Sequence, residues 1–489
     1  MIIIRNIMRY DDVAVCYDQK FKELSDTFFT YTPWPDSRYV SSEWGKDDDF
    51  ALFYKEMTLR HLSTKLKPTL NDHIESWHNY LKLFEFITST SKYTQPEICL
   101  TVQWIQDIMH EFVYQFQGFC QFRTKVTNIS ADDINVLEAN ADVWTFPKIQ
   151  SILKKLIAVS GIKKADPEST TQILHQRFGI FAAIELSRLE CLVGDYDASI
   201  KALAPIFAAD RSEIFSQSPS THVNLYYHAG VSFLMLRRYA DALETFAEII
   251  LHFARILKPG FSADSNQKML LKMLDKTLSL AAVTSALCPG KRVDDQVREM
   301  METRAAEKVR RLSSGDILAL RDIFAQAAPQ FISPLIPDYS EMVNLNYEAI
   351  NTQVSIFATE AQQQLSVLSI RSFLRLYTSI ELYKLARFNE VSDSDLMSQL
   401  MAFKHKTVQV QSNSTAAGLT SASCLGGERV STSDVNYYIQ DNAVILDSTN
   451  SKSEKSRTIE RFLTGGIRKH SELQSDLIKC FNRINMNNL

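Results

Sequence analysis

The sequence predicts a mostly α-helical protein: a tetratricopeptide-like helical repeat array followed by a winged-helix module with a small β-hairpin and a C-terminal helix. Three observations carry this expectation. The 489 residues hold only 14 glycines and 13 prolines, together under half the usual share of about 12%, and strand-and-turn architectures spend these residues at every hairpin. Between the widely spaced breakers lie helix-length stretches with apolar residues at helical spacing. A tyrosine followed by a small residue recurs 43 positions apart, at Tyr196 and Tyr239, as in helix–turn–helix repeats. One core serves roughly 250–300 residues, so several segments are expected: an N-terminal helical region (1–165), the repeats (166–338), the winged helix (339–450) and a C-terminal assembly helix (451–489).

The clearest early helix is expected over about 102–122. Ile105, Ile108, Met109, Phe112, Phe116, Phe119 and Cys120 share one face, with Gln106, Asp107, His110, Glu111 and Gln117 on the other. The repeat signature reads Gly194-Asp195-Tyr196 and Arg238-Tyr239, with Ala198 and Ala242 as the small residues just beyond. Pro329, Pro334 and Pro337 mark a junction, and no proline follows. A helix over about 361–377 then places Val367, Ile370, Leu374 and Tyr377 on one stripe. Thr378 with Glu381 reads as a capping box opening a short helix to Phe388. The link Asn389-Glu390-Val391 leads to a second start signal, Ser392 with Asp395, and a helix to about 406 carrying Leu396, Leu400 and Phe403 inward. Residues 411–434 are Ser/Thr-rich and read as a loop. Two short apolar runs, 435–439 and 443–446, flank a polar Gln440-Asp441-Asn442 turn, a hairpin signal. Three helices and a hairpin make the winged helix.

Composition narrows function. With 53 Lys+Arg against 57 Asp+Glu the net charge is −4, without the overall basic excess of proteins that clamp nucleic-acid phosphates. Seven cysteines, at 16, 99, 120, 191, 288, 424 and 480, form no CxxC pair, a pattern of reduced thiols in a cytoplasmic protein. Arg5, Arg9, Asp11 and Asp12 interrupt the apolar start, and no run approaches 18 apolar residues. Zinc, phosphate-loop, dinucleotide and nucleophile-elbow motifs are missing. His73 and His78 do not share a helical face, and Gly290-Lys291 reads as a turn. No catalytic, cofactor or metal site is expected.

What remains is association. An edge of the hairpin, near Tyr437 or Val444, is expected to extend a neighbour's sheet. On the last helix Leu473, Leu477, Ile478 and Phe481 share a face and are expected to enter a partner bundle. Lys404 and Lys406 close the third winged-helix helix and are the candidate RNA contacts. Its opposite end carries Asp393 and Asp395, where readers of DNA bases place their contacts, so sequence-specific DNA binding is not expected.

Several segments are idiosyncratic: 28–35 (FFTYTPWP), 50–61 (FALFYKEMTLRH), 104–123 (WIQDIMHEFVYQFQGFCQFR), 233–242 (FLMLRRYADA), 331–339 (FISPLIPDY), 370–379 (IRSFLRLYTS) and 403–406 (FKHK). Together with Gly194-Asp195-Tyr196 they resemble, collinearly, the PCI-domain family, and within it the L-subunit family of eukaryotic translation initiation factor 3. Fewer residues precede the Thr-Pro-Trp-Pro motif than is usual there, and the Ser/Thr-rich loop departs from the family. The resemblance implies a non-catalytic scaffold subunit. It would sit beside the K and E subunits of a core of PCI and MPN subunits on the small ribosomal subunit, and support recruitment of initiator tRNA and mRNA. No cofactor, membrane or DNA is implied. Two alternatives stand beside it: a scaffold subunit of another PCI assembly, such as the proteasome lid or the COP9 signalosome, and an autonomous RNA-binding winged-helix protein.

Overall fold

The computed structural model describes residues 21, 23–36, 48–89, 100–124, 129–162, 170–207, 219–256, 265–288, 291–313, 315–339, 345–411, 425–431 and 435–446. Of the C-terminal stretch it describes residues 463, 467, 470, 471, 473, 474 and 477. A π-helical turn (Glu23–Phe28) precedes α1 (Asp48–Lys65), α2 (Leu70–Thr88), α3 (Val102–Arg123), α4 (Ala131–Ala139), α5 (Phe146–Val159), α6 (Thr170–Val193), α7 (Tyr196–Phe207), α8 (Pro219–Met235) and α9 (Tyr239–Ile256). The helices α10 (Ser265–Leu287), α11 (Asp295–Arg304), α12 (Ala306–Ser313), α13 (Ile317–Ala327) and α14 (Leu345–Leu374) follow. Then come β1 (Ser379–Glu381), α15 (Leu382–Phe388), α16 (Asp393–Thr407), β2 (Val408–Gln411), β3 (Glu428–Ser431), β4 (Tyr437–Gln440) and β5 (Ala443–Leu446). The mostly helical architecture with a small antiparallel strand set is the one the sequence predicts.

Contacts divide the chain into two compact units: 1–362 with 410–429, and 363–409 with 430–489. The division falls inside α14. In the first unit the N-terminal helices are fixed by caps and aromatic packing. Thr69 and Asp72 form a reciprocal capping box on α2, and Thr101 caps α3 through the Trp104 N–H. Phe112 of α3 is ringed by Trp77, Tyr80, Phe84 and Trp144 at centroid distances from 4.8 to 6.4 Å. The expected apolar face, Ile105 to Cys120, is fully buried.

The opposite face of α3 is not the solvated face the pattern suggests. Gln106, Glu111 and Gln117 are buried too, because α3 packs against α1, α2 and α6 together. Burial of polar groups demands partners, and the structure supplies them. The Ser76 hydroxyl donates to Gln115, whose amide donates to Glu111 at 2.9 Å. Arg60 reaches both Glu56 (3.3 Å) and Asp107 (3.2 Å), and the Tyr80 hydroxyl donates to Glu56. Burial pushes the Glu111 carboxyl up to about 7. One turn along, His110 and Arg188 flank Glu185 at 3.1 and 3.0 Å. Burial by itself would raise Glu185, but the Arg188 and His110 charges override it and hold it at about 2.

The 43-residue repeat is real in the backbone. Gly194 and Arg237 both adopt positive φ (100° and 62°) after their helices. In both, the next N–H returns to the carbonyl five residues back: Asp195 to Glu190 (2.9 Å) and Arg238 to Phe233 (2.9 Å). Tyr196 and Tyr239 then open α7 and α9. Counted from the tyrosines, the counterpart of Ala242 is Ser199 rather than Ala198, since Ser199 and Ala242 are both fully buried and Ala198 is half-exposed. Small size is needed at the contact itself: a Cβ on Gly230 would lie 2.4 Å from the Phe246 ring.

The three-proline segment lies against this unit. Phe331 and Ile332 are buried, the Ile332 N–H donates to the Leu192 carbonyl (3.0 Å), and Arg123 donates to the Pro334 carbonyl (3.0 Å). Most of the Ser/Thr-rich stretch lies outside the described residues, but its end forms β3, which pairs with β2.

Candidate partner interface

The second unit is built on one small core. The last turns of α14 contribute Ile370 and Leu374, α15 contributes Leu382, Leu385 and Ala386, and α16 contributes Leu396, Leu400 and Phe403. The strands close it with Ile380, Tyr437 and Val444. Ser392 caps α16 by accepting the Asp395 N–H at 3.2 Å. The link before it turns on Glu390 at φ 55°, with the Val391 N–H returned to the Ala386 carbonyl (3.1 Å). Asp441 and Asn442 both take positive φ (49° and 59°), the two-residue type I′ geometry that suits the twist of a hairpin.

One strand is not legible in the sequence. Residues 379–381 form β1, where a capping box was expected. Glu381 precedes α15 without a side-chain cap bond and pairs with Lys384 instead (2.9 Å). β1 pairs with β5 in the register Ile380↔Val444, while β4 pairs on the other side with Ile439↔Val444. The sheet order is therefore β1-β5-β4. That corrects the expectation that residues 443–446 offer an open edge: β5 is the central strand. Among the described residues the edges belong to β1 and β4.

Tyr437 and Val444 are core residues. Val444 is fully buried, and Tyr437 donates its hydroxyl to the Leu400 carbonyl with its ring edge-on to Phe403 at 5.5 Å. Strand alternation turns both inward, so their side chains belong to the core of this unit. Lys406 is likewise only 7% exposed. Lys404 lies 5.2 Å over the Tyr437 ring. Together with His405 these basic residues occupy the last turn of α16, opposite Asp393 and Asp395 in the first, a distribution that suits the helix macrodipole.

In the C-terminal stretch, the described residues are helical and exposed. Leu473 and Leu477 are 64% and 63% exposed, and Leu463 and Ile467 are similarly open. Positions 463, 467, 470, 474 and 477 follow one face. Ile478 and Phe481 lie outside the described residues. The stripe expected at 367–377 divides: Ile370 and Leu374 are core, whereas Tyr377 is exposed and stacks on Phe388; the side chain of Val367 lies outside the described residues. No group of three metal-ligating side chains occurs among the described residues.

Helical repeats ending in a winged helix define a scaffold of the PCI type. The comparisons with known proteins are specific. The family described as RNA polymerase I-associated factor PAF67 matches residues 72–466. Subunit L of eukaryotic translation initiation factor 3 from Danio rerio is 33% identical over 480 residues, 95% of this chain and 81% of its own length. Those from Nematostella vectensis and Homo sapiens are each 31% identical over 95% and 96% of this chain, and 89% and 83% of their own. The chain belongs to this family, that of initiation factor 3 subunit L.

Proposed function

We propose that the protein is a non-catalytic scaffold subunit of eukaryotic translation initiation factor 3. In that role it supports assembly on the small ribosomal subunit and the recruitment of initiator tRNA and mRNA, with the K and E subunits as neighbours. The observation that carries the reading is collinear relatedness to L subunits across about 95% of the chain. The architecture supports it: helical repeats and a three-stranded sheet with a backbone edge at β4. Purifying the tagged protein from native lysate and identifying its stable companions by mass spectrometry tests the reading. Initiation factor 3 subunits in stoichiometric amount support it. Proteasome-lid or signalosome subunits instead, or RNA without a stable protein complex, overturn it.

A further inference from the structure

The second unit carries a surface that its core does not need. Phe388, the last residue of α15, is stacked nearly parallel with two rings from the end of α14 and the residues after it. Phe373 lies at 5.7 Å and 16°, and Tyr377 at 6.2 Å and 17°. Folding usually buries such rings, yet here they stay open: Phe388 is 48% and Tyr377 40% exposed, and Leu376 beside them is 76% exposed. Tyr383, one turn before Phe388 on α15, is exposed as well, with the Lys384 ammonium 5.6 Å from its ring centroid.

The charge around these rings runs against that of the whole chain. Residues 371–390 contain Arg371, Arg375, Lys384 and Arg387 against the carboxylates of Glu381 and Glu390, in a protein of net charge −4. Glu381 is itself paired with Lys384. Aromatic faces beside arginines are how proteins bind single-stranded nucleic acid without reading sequence: bases stack on the rings and guanidinium groups hold phosphates. The local positive excess separates this patch from the acidic start of α16, which faces phosphate poorly.

We infer that the Phe373–Phe388–Tyr377 stack and its flanking arginines form a binding site for single-stranded RNA, bound through base stacking and without sequence specificity. This site is separate from the α16 lysines, of which Lys404 lies over the Tyr437 ring and Lys406 is buried. Two exposed rings accommodate a short stretch of bases, so binding is weak and steeply salt-dependent.

The test uses the full chain and fluorescein-labelled 12-nucleotide oligouridylate and oligoadenylate, followed by anisotropy between 50 and 200 mM KCl. Tyr377→Ala and Phe388→Ala are each expected to weaken binding about tenfold, the scale of one lost base stack. Arg387→Glu is expected to lower the slope of log K against log salt by about one. Circular dichroism melts control for folding, and Tyr377→Phe, which keeps the ring, should bind as the parent does. Absence of binding by the parent at 50 mM KCl overturns the inference, as does unchanged affinity in folded Tyr377→Ala and Phe388→Ala proteins. Variants that keep RNA affinity but no longer co-assemble with other subunits would mark the stack as a protein interface and overturn it equally.

Discussion

Replacing Glu111 by glutamine should stabilise the N-terminal helices, and by an amount that grows with pH. Glu111 lies inside the packed helices and accepts a hydrogen bond from the Gln115 amide. Burial raises its carboxyl from 4.5 to about 7. Between those values the folded chain keeps a proton that the unfolded chain has released, so stability falls as pH rises through this window. A rise from 4.5 to about 7, at about 1.36 kcal/mol per pH unit, sets a ceiling near 3 kcal/mol above pH 7. Roughly 2 kcal/mol of it develops between pH 5 and pH 8. Glutamine keeps the acceptor for Gln115, has nearly the same volume and does not titrate. The difference in unfolding free energy, variant minus parent, should therefore increase by about 2 kcal/mol from pH 5 to pH 8. Urea titrations read by tryptophan emission suit the question, because all five tryptophans (34, 44, 77, 104 and 144) lie in the N-terminal region and Trp77 and Trp144 pack against Phe112. Subtraction removes the titration of other groups common to both proteins. A difference that stays constant with pH, or a variant destabilised equally at both ends, would refute the reasoning.

Glu185 should behave oppositely: its stabilisation is full above about pH 4.5 and is lost as pH falls toward 2, so Glu185→Gln, which leaves Arg188 buried without its carboxylate, should cost about 3 kcal/mol at neutral pH and little near pH 2, by urea unfolding. Gly194→Ala should lower the melting temperature, since Gly194 sits at φ 100° and the new Cβ would lie 2.7 Å from the Gln353 amide nitrogen; the left-handed backbone alone costs about 1–2 kcal/mol. Tyr437→Phe removes one buried donor to the Leu400 carbonyl and should cost about 1 kcal/mol in thermal unfolding while leaving co-purification with partners unchanged. Deleting 457–489, whose described residues are exposed, should leave the melting of the remaining chain within a degree or two yet abolish retention in the complex on gel filtration.

The sequence by itself determined the class of fold and most of its start and stop points. Periodicity marked the apolar face of α3. Ser392 with Asp395 announced α16, the repeated tyrosines announced α7 and α9, and Asp441-Asn442 announced the hairpin. Each is a local signal, set by side chains within one or two turns of the backbone they control. Tertiary structure decided what depends on neighbours distant in sequence. β1 has only three residues, too few for an alternation to be read, and it exists because β5, more than 60 residues away, offers it an edge. A helical pattern shows which face is apolar but not how many helices pack around it, so the burial of Glu111 and Gln117 was invisible until α3 met its three neighbours. For the same reason Tyr437, Val444 and Lys406, plausible contact residues in a linear reading, became core once the sheet closed over α16. The ring of Tyr377, which the stripe over 367–377 assigns to the interior, stays at the surface, stacked on Phe388.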